Sequence, residues 1–325
     1  MKRILISVVL AAICLSSFGQ KQEEKKKFQI KGQPIVTVFA NYHAGIGNAN
    51  KESGFALDRA YLGHQFSLTE KLSGKVVFDM GSTKVSGSDL ERVAYIKNAM
   101  LSWKTGNFTL DFGLIGLEQF NVQEKYRYIM KSFQDEYKFG SSADMGILGK
   151  YKFTKWLSAD ITISNGEGYK KLNGDNKYRY AVGATILPVK NLTLRAYYDL
   201  ASKNIEGDET KDQQNLAFFA GYKHELFSIG AEYNQMYNTK FKEDNDQSGF
   251  SVYSTIKLED QFNLFGRYDN LGSKDDWSSA DGQRILVGVQ YAPIKQLKIA
   301  PNFSTWNPRD GKSSSFVYLN IEFKL

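Results

Sequence analysis

The stretch FVYLNIEFKL, Phe316 to Leu325, decides the fold. Val317, Leu319, Ile321, Phe323 and Leu325 fall on one face of an extended strand, and Tyr318, Asn320, Glu322 and Lys324 fall on the other. A soluble sheet that kept such a strand at its edge would have to cover or charge it. A closed barrel pairs its last strand with its first, so the pattern predicts a barrel that this strand closes.

The same alternation recurs upstream. In Leu192 to Leu200, apolar Leu192, Leu194, Ala196, Tyr198 and Leu200 alternate with Thr193, Arg195, Tyr197 and Asp199. Ile229, Ala231 and Tyr233 oppose Ser228, Gly230, Glu232 and Asn234, and Ala159, Ile161 and Ile163 oppose Ser158, Asp160, Thr162 and Ser164. A lysine or arginine facing lipid near the bilayer midplane costs about 2–4 kcal/mol, so the polar face is expected to line an interior. Charges in such number cannot be buried dry and unpaired, and a water-filled lumen is the expected solution.

Between strands, one theme repeats: aromatic and basic residues, a tight turn, then a new alternating strand, as in SWKTGNFTLDFG, YKFTKWLSADITIS and GYKHELFSIGAEY. Longer polar connections separate these hairpins: Gly45–Ser53, Gly81–Glu91, Asn165–Asn176, Ala201–Asp212, Asn238–Gln247, Asn270–Asp281 and Asn307–Ser313, with the longest near Glu118–Gly140. Short turns alternating with long loops predict an all-β transmembrane antiparallel barrel of about sixteen strands, with short periplasmic turns and long extracellular loops. Trp103, Phe108, Phe153, Trp156, Tyr222, Phe227 and Tyr291 gather beside the short turns, where an aromatic girdle belongs. Pro301 inside an apparent strand predicts a bulge or break there.

Composition agrees. With 19 Tyr, 22 Phe, 4 Trp and 28 Gly against only 5 Pro, the chain favours strands. Its mean hydropathy of −0.41 is compatible with a bilayer, because barrels alternate lipid-facing and lumen-facing side chains. Residues 1–19 read as a signal peptide: Lys2 and Arg3, an apolar run Ile4 to Leu15, then small residues up to Gly19. Cys14 is the only cysteine, so the mature chain is expected to lack disulfides. Residues 20–33 read as a flexible periplasmic lead-in and 34–325 as the barrel, with Pro34 opening the first strand. The formal charge of +7 includes two signal-peptide positives and gives no reason to expect nucleic acid as a partner.

Catalytic patterns are not apparent. His43, His64 and His224 show no metal-ligand spacing with one another or with cysteine, and Ser67 lies on the opposite strand face from His64. No glycine-rich nucleotide loop is present. The expectation is a protein that is not an enzyme and carries neither cofactor nor metal.

FALDRAYLGHQFSL (55–68), YIKNAMLSWKTGNFTLDFGLIGLEQF (95–120), ITISNGEGY (161–169) and FSVYSTIKLEDQFNLFGRYDNL (250–271), in that order, resemble the phosphate- and polyphosphate-selective porin family in its shorter, Bacteroidota-type form. The resemblance implies a sixteen-stranded channel, often trimeric, in the outer membrane of a Gram-negative bacterium, with an inward loop after the fifth strand. Residues 117–140 occupy that place. Lys125, Arg127 and Lys131 are the expected constriction cations, with Glu124, Asp135 and Glu136 opposing them. Known members carry dense arginine and lysine ladders. The lumen expected here mixes Arg59, Arg179, Arg195, Arg267 and Arg284 with Asp111, Asp160, Asp199 and Asp269.

The function carried over is passive diffusion of small hydrophilic solutes, with anions such as phosphate among them. A non-channel barrel used for adhesion or anchoring is the alternative. Expected partners are outer-membrane lipid, the barrel assembly machinery, small solutes and two further copies in a homotrimer.

Overall fold

The computed structural model describes residues 30–82, 92–126, 131–171, 175–205 and 210–325. Residues 1–29, on which the expected signal peptide and most of the expected lead-in fall, lie outside this set. Its first four strands are Lys31–Ile46 (β1), Ser53–Ser67 (β2), Leu72–Ser82 (β3) and Arg92–Thr105 (β4). Then follow Phe108–Gly116 (β5), Ala143–Lys152 (β6), Leu157–Ser164 (β7), Arg179–Ile186 (β8), Leu192–Ala201 (β9) and Gln213–Lys223 (β10). The last six are Phe227–Tyr237 (β11), Gln247–Lys257 (β12), Phe262–Ser273 (β13), Gly282–Ile294 (β14), Leu297–Pro308 (β15) and Ser314–Lys324 (β16). Two short helices, Glu118–Gln123 (α1) and Phe133–Glu136 (α2), lie between β5 and β6.

Every strand pairs antiparallel with its sequence neighbours, and β16 closes on β1, from Thr37↔Lys324 to Ile46↔Ser315. The closing strand is therefore the one that the terminal alternation predicts. Its amides have partners on both sides, in β1 and in β15, so no edge is left to aggregate. Turns at one end span two to five residues, while those at the other end range from five at 309–313 to twenty-six at 117–142.

Two local expectations change. β1 starts at Lys31, before Pro34, which pairs with His64 inside the strand. Pro301 does not break β15: the register with β16 runs unbroken through Pro301↔Leu319. On the other side, pairing with β14 passes from Gly288↔Asn302 to Tyr291↔Ile299, and the irregularity falls at Tyr291/Ile294 beside the turn. A proline lacks only its own N–H, which one skipped rung accommodates.

Burial inverts the pattern of a water-soluble sheet. Along β9 the apolar Leu194, Ala196 and Tyr198 are exposed while Arg195, Tyr197 and Asp199 are buried. The exposed set continues around the wall through Phe112, Ile161, Val182, Phe218, Ile285 and Leu319. Exposed apolar area this continuous marks a surface that something apolar covers. Among the described residues no helix is long and apolar enough to cross a membrane, which says nothing about strands.

The closed barrel should migrate differently on a denaturing gel before and after boiling and should give a β-rich circular dichroism spectrum. Leu319, outward on the closing strand and 42% exposed, tests the orientation. Leu319→Arg should destabilise protein refolded in phospholipid vesicles by about 2–4 kcal/mol in urea titration. An unchanged midpoint would show that this face does not meet lipid.

Candidate pore and the connection between β5 and β6

Cross-strand register carries the inward face around the barrel. Asp160, Arg179, Arg195, Asp199, Arg267, Asp269 and Arg284 all occupy inward positions, as do Arg59 and Asp111. Most form pairs. The Arg195 guanidinium donates to both oxygens of Asp160 at 2.7 and 3.0 Å, a bidentate geometry. Arg267 does the same to Asp269 at 2.7 and 2.8 Å, and Arg179 meets Asp199 at 3.3 Å. Lys150 reaches Asp111 at 3.0 Å and Glu118 at 3.7 Å.

These pairs are not all bathed in a wide lumen, as the sequence suggested. Arg195 is 3% exposed and Asp199 and Asp269 are 0% exposed. The reason is the segment 117–142, whose side chains contact inward wall positions. Arg195 Nε donates to Gln119 Oε1 at 3.1 Å. Gln134 Nε2 donates to Asn234 Oδ1 at 2.7 Å, and Asn215 Nδ2 donates to the Phe139 carbonyl at 2.8 Å. The Tyr137 hydroxyl donates to Asp269 at 2.9 Å, and an Arg267 N–H donates to the Lys131 carbonyl. Burial, then the neighbouring Asp269, holds the Tyr137 hydroxyl well above its usual pKa, so it remains a donor at physiological pH.

Rings anchor the same segment. Phe133 and Phe139 pack with Met236 and Leu271, while Val122 and Tyr126 pack with Phe219 and Tyr253. Fully burying a phenylalanine contributes about 1.5–3 kcal/mol. The wall makes room with glycine. A Cβ at Gly249 would sit 2.5 Å from the Phe133 ring, and one at Gly221 would sit 2.7 Å from the Tyr126 ring. Tyr126 and Phe133 are thus the rings that dock the segment on the wall; Arg127 lies outside the described residues.

Charges of the segment pair both within it and with the wall. Lys131 and Glu136 face each other within the segment at 3.8 Å. The stronger partner of Glu136 is Arg284 on β14 at 2.7 Å, and Asp135 meets Arg59 on β2 at 3.7 Å. Acids of the segment thus meet arginines of the wall as well as Lys131, and Arg59 also meets Asp79 at 3.6 Å. Glu124 and Lys125 sit just after α1 and outside these pairs.

A second connection also reaches inward. The Tyr169 hydroxyl, between β7 and β8, donates to Asp79 on β3 at 2.5 Å, and the Gly166 N–H donates to Asp144 at 2.7 Å. Burial, then the Asp79 bond, raises the Tyr169 pKa well above its usual range. Sequence reading missed this connection; the signal was an aromatic residue within the otherwise polar NGEGYKK. At the short-turn end, Lys75, Lys104, Lys152 and Lys223 hold inward positions. Among the described residues no group of three His, Cys, Asp or Glu could hold a metal ion.

No protein-family model matches the sequence, and no curated protein does. Solved structures do share its architecture. The outer-membrane OmpT of Vibrio cholerae superposes with a TM-score of 0.67 at 14% identity, covering 93% of this chain and 100% of its own. An anion-selective porin from Comamonas acidovorans gives 0.72 at 10% identity, over 91% of this chain and 100% of its own. Salmonella typhi OmpF, in complex with daunomycin, gives 0.68 at 13% identity, over 90% and 97%. At such identities the likeness establishes the fold, which is that of sixteen-stranded porin barrels.

Proposed function

We propose that this chain is a porin in the outer membrane of a Gram-negative bacterium, through which small hydrophilic solutes and ions diffuse passively. The observation that carries the reading is the inverted wall: apolar side chains outside, paired charges and amides inside, closed without an edge. Lipid covers the exterior, and the polar interior is useful only if solutes or water enter it. A barrel of this kind is delivered by the barrel assembly machinery. The Comamonas neighbour, described as an anion-selective porin, supports the channel class. A trimer form of Vibrio cholerae OmpT supports a homotrimer.

In this reading the segment 117–142 narrows the pore, and Glu124, Lys125, Arg127, Lys131, Asp135 and Glu136 set its field. Charge confined between low-dielectric walls acts strongly on a passing ion. The short-turn end, with Lys75, Lys104, Lys152 and Lys223 inward, favours anions, phosphate included. The chain acts as a conduit and not as an enzyme.

Planar-bilayer recording tests this. The protein should give discrete conductance steps and a reversal potential on the anion side in a salt gradient. Filling the wall socket that only side chains border, Gly221→Val, should displace the Tyr126 ring and raise single-channel conductance. Lys125→Gln with Lys131→Gln should move the reversal potential toward cations, most at low salt where screening is weak. A folded barrel without conductance steps would instead favour the adhesive or anchoring barrel.

A further inference from the structure

The segment 117–142 covers the inward faces of β9 to β13, yet the wall formed by β16, β1, β2 and β4 is left half-exposed, and it is lined with rings. Phe316 and Tyr318 on β16 stand 6.1 and 6.0 Å from His43 on β1. Further along the inward face of β1, Phe39 meets Tyr61 on β2 at 6.3 Å. Tyr95 on β4 meets Tyr169 at 6.5 Å. Each of these rings is neither buried nor fully exposed. Phe39 and His43 are four residues apart on one face, about 14 Å along the strand. The rings therefore form an extended track rather than one pocket.

Polar groups are interleaved with them. Asn41 lies between Phe39 and His43, donates to Asp58 at 2.8 Å and sits 2.9 Å from the His43 ring nitrogen. Arg59 donates to the Tyr61 hydroxyl at 2.9 Å. Flat apolar faces at intervals, with hydrogen-bonding groups at their edges, suit pyranose rings, whose C–H faces stack on aromatics while their hydroxyls bond sideways. A small ion needs no rings, and a single planar aromatic needs only one.

Charge selects further. Lys97 lies over the Tyr61 ring at 4.4 Å and donates to its hydroxyl at 2.8 Å, and Lys170 lies over the Tyr95 ring at 5.2 Å. Among the described residues no carboxylate forms an ion pair with either lysine, whereas Asp79 is already engaged by Tyr169 and Arg59. This end of the track has cation to spare.

We propose that the β16–β1–β2–β4 wall is a binding track for short oligosaccharides carrying carboxylates, which stack along its rings and are drawn to Lys97 and Lys170. The proposal rests on the porin reading, and the two fail differently: a chain without conductance sinks both, while a conducting chain that sugar does not interrupt sinks only the track. The probe is a trimer of galacturonate added to single channels, with maltotriose and benzoate as comparators.

The trimer should interrupt the current at lower concentration than maltotriose, and benzoate should not interrupt it. Tyr61→Ala and Tyr318→Ala should each weaken the block by about two- to tenfold, the range expected for one stacking contact. Tyr61→Phe and Tyr318→Phe, which keep the ring, should retain it, as should Phe218→Ala on the outer face. Lys97→Gln should bring the galacturonate trimer down toward maltotriose and leave maltotriose unchanged. An uninterrupted current in a conducting chain, a block undiminished by both alanine variants, or a benzoate block as strong as the trimer's would overturn the proposal.

Discussion

Inside this barrel a guanidinium buried by protein must find a carboxylate, and the arrangement of the lumen follows from that requirement. Arg195 with Asp160, Arg267 with Asp269 and Arg179 with Asp199 are cross-wall or same-strand pairs taken largely out of water. Removing one partner of a buried pair typically costs about 3–5 kcal/mol, because the other charge is left uncompensated. The pairs have remaining donors and acceptors, and the segment 117–142 supplies groups to meet them: the Gln119 amide, the Tyr137 hydroxyl and the Lys131 carbonyl. The segment covers a wall where three arginines are paired with wall carboxylates, and its own Glu136 pairs with a fourth, Arg284.

The opposite wall is covered less. There Arg59 meets Asp79 and, from the segment, Asp135, while Lys97 leans on a tyrosine ring. Half-exposed rings alternate with small polar residues along β1, Thr37, Phe39, Asn41 and His43. One barrel thus carries two kinds of interior: a buried, charge-paired wall in contact with the long segment and a half-exposed wall lined with rings. The asymmetry arises because a single long connection, tethered between β5 and β6, is docked by two rings into sockets at Gly221 and Gly249.

The fold was legible because its signal has a period of two and repeats. FVYLNIEFKL and LTLRAYYDL each reveal which face is apolar, and the alternation of short and long connections orients the ends. The inward wall residues were legible for the same reason: once Leu194 is outside, Arg195 is inside. The contacts of the long segment were harder to read. Its pairings join residues far apart in sequence, such as Asp135 with Arg59 and Gln134 with Asn234, and no local pattern encodes a partner so distant. Lys131 and Glu136 do face each other within the segment, but the additional pairing of Glu136 and Asp135 with wall arginines could not be read locally. Pro301 misled because a proline in a sheet can lose one rung without bending the strand.

A cross-link between the long segment and the wall is the sharpest probe of whether residues 117–142 dock inside the barrel. Gln134 and Asn234 are hydrogen-bonded at 2.7 Å and are a hundred positions apart in sequence. The chain's only cysteine is Cys14, so a Cys14→Ser background carrying Gln134→Cys and Asn234→Cys reports on that contact alone. The amide ends meet while the Cβ atoms stand further apart than a direct disulfide spans, so a short bis-thiosulfonate cross-linker is the probe. In the folded protein it should join the two cysteines, with a mobility shift that reductant reverses. Two cysteines that this reagent labels singly but does not join, in a barrel that still shows heat-modifiable migration, would place the segment outside the lumen.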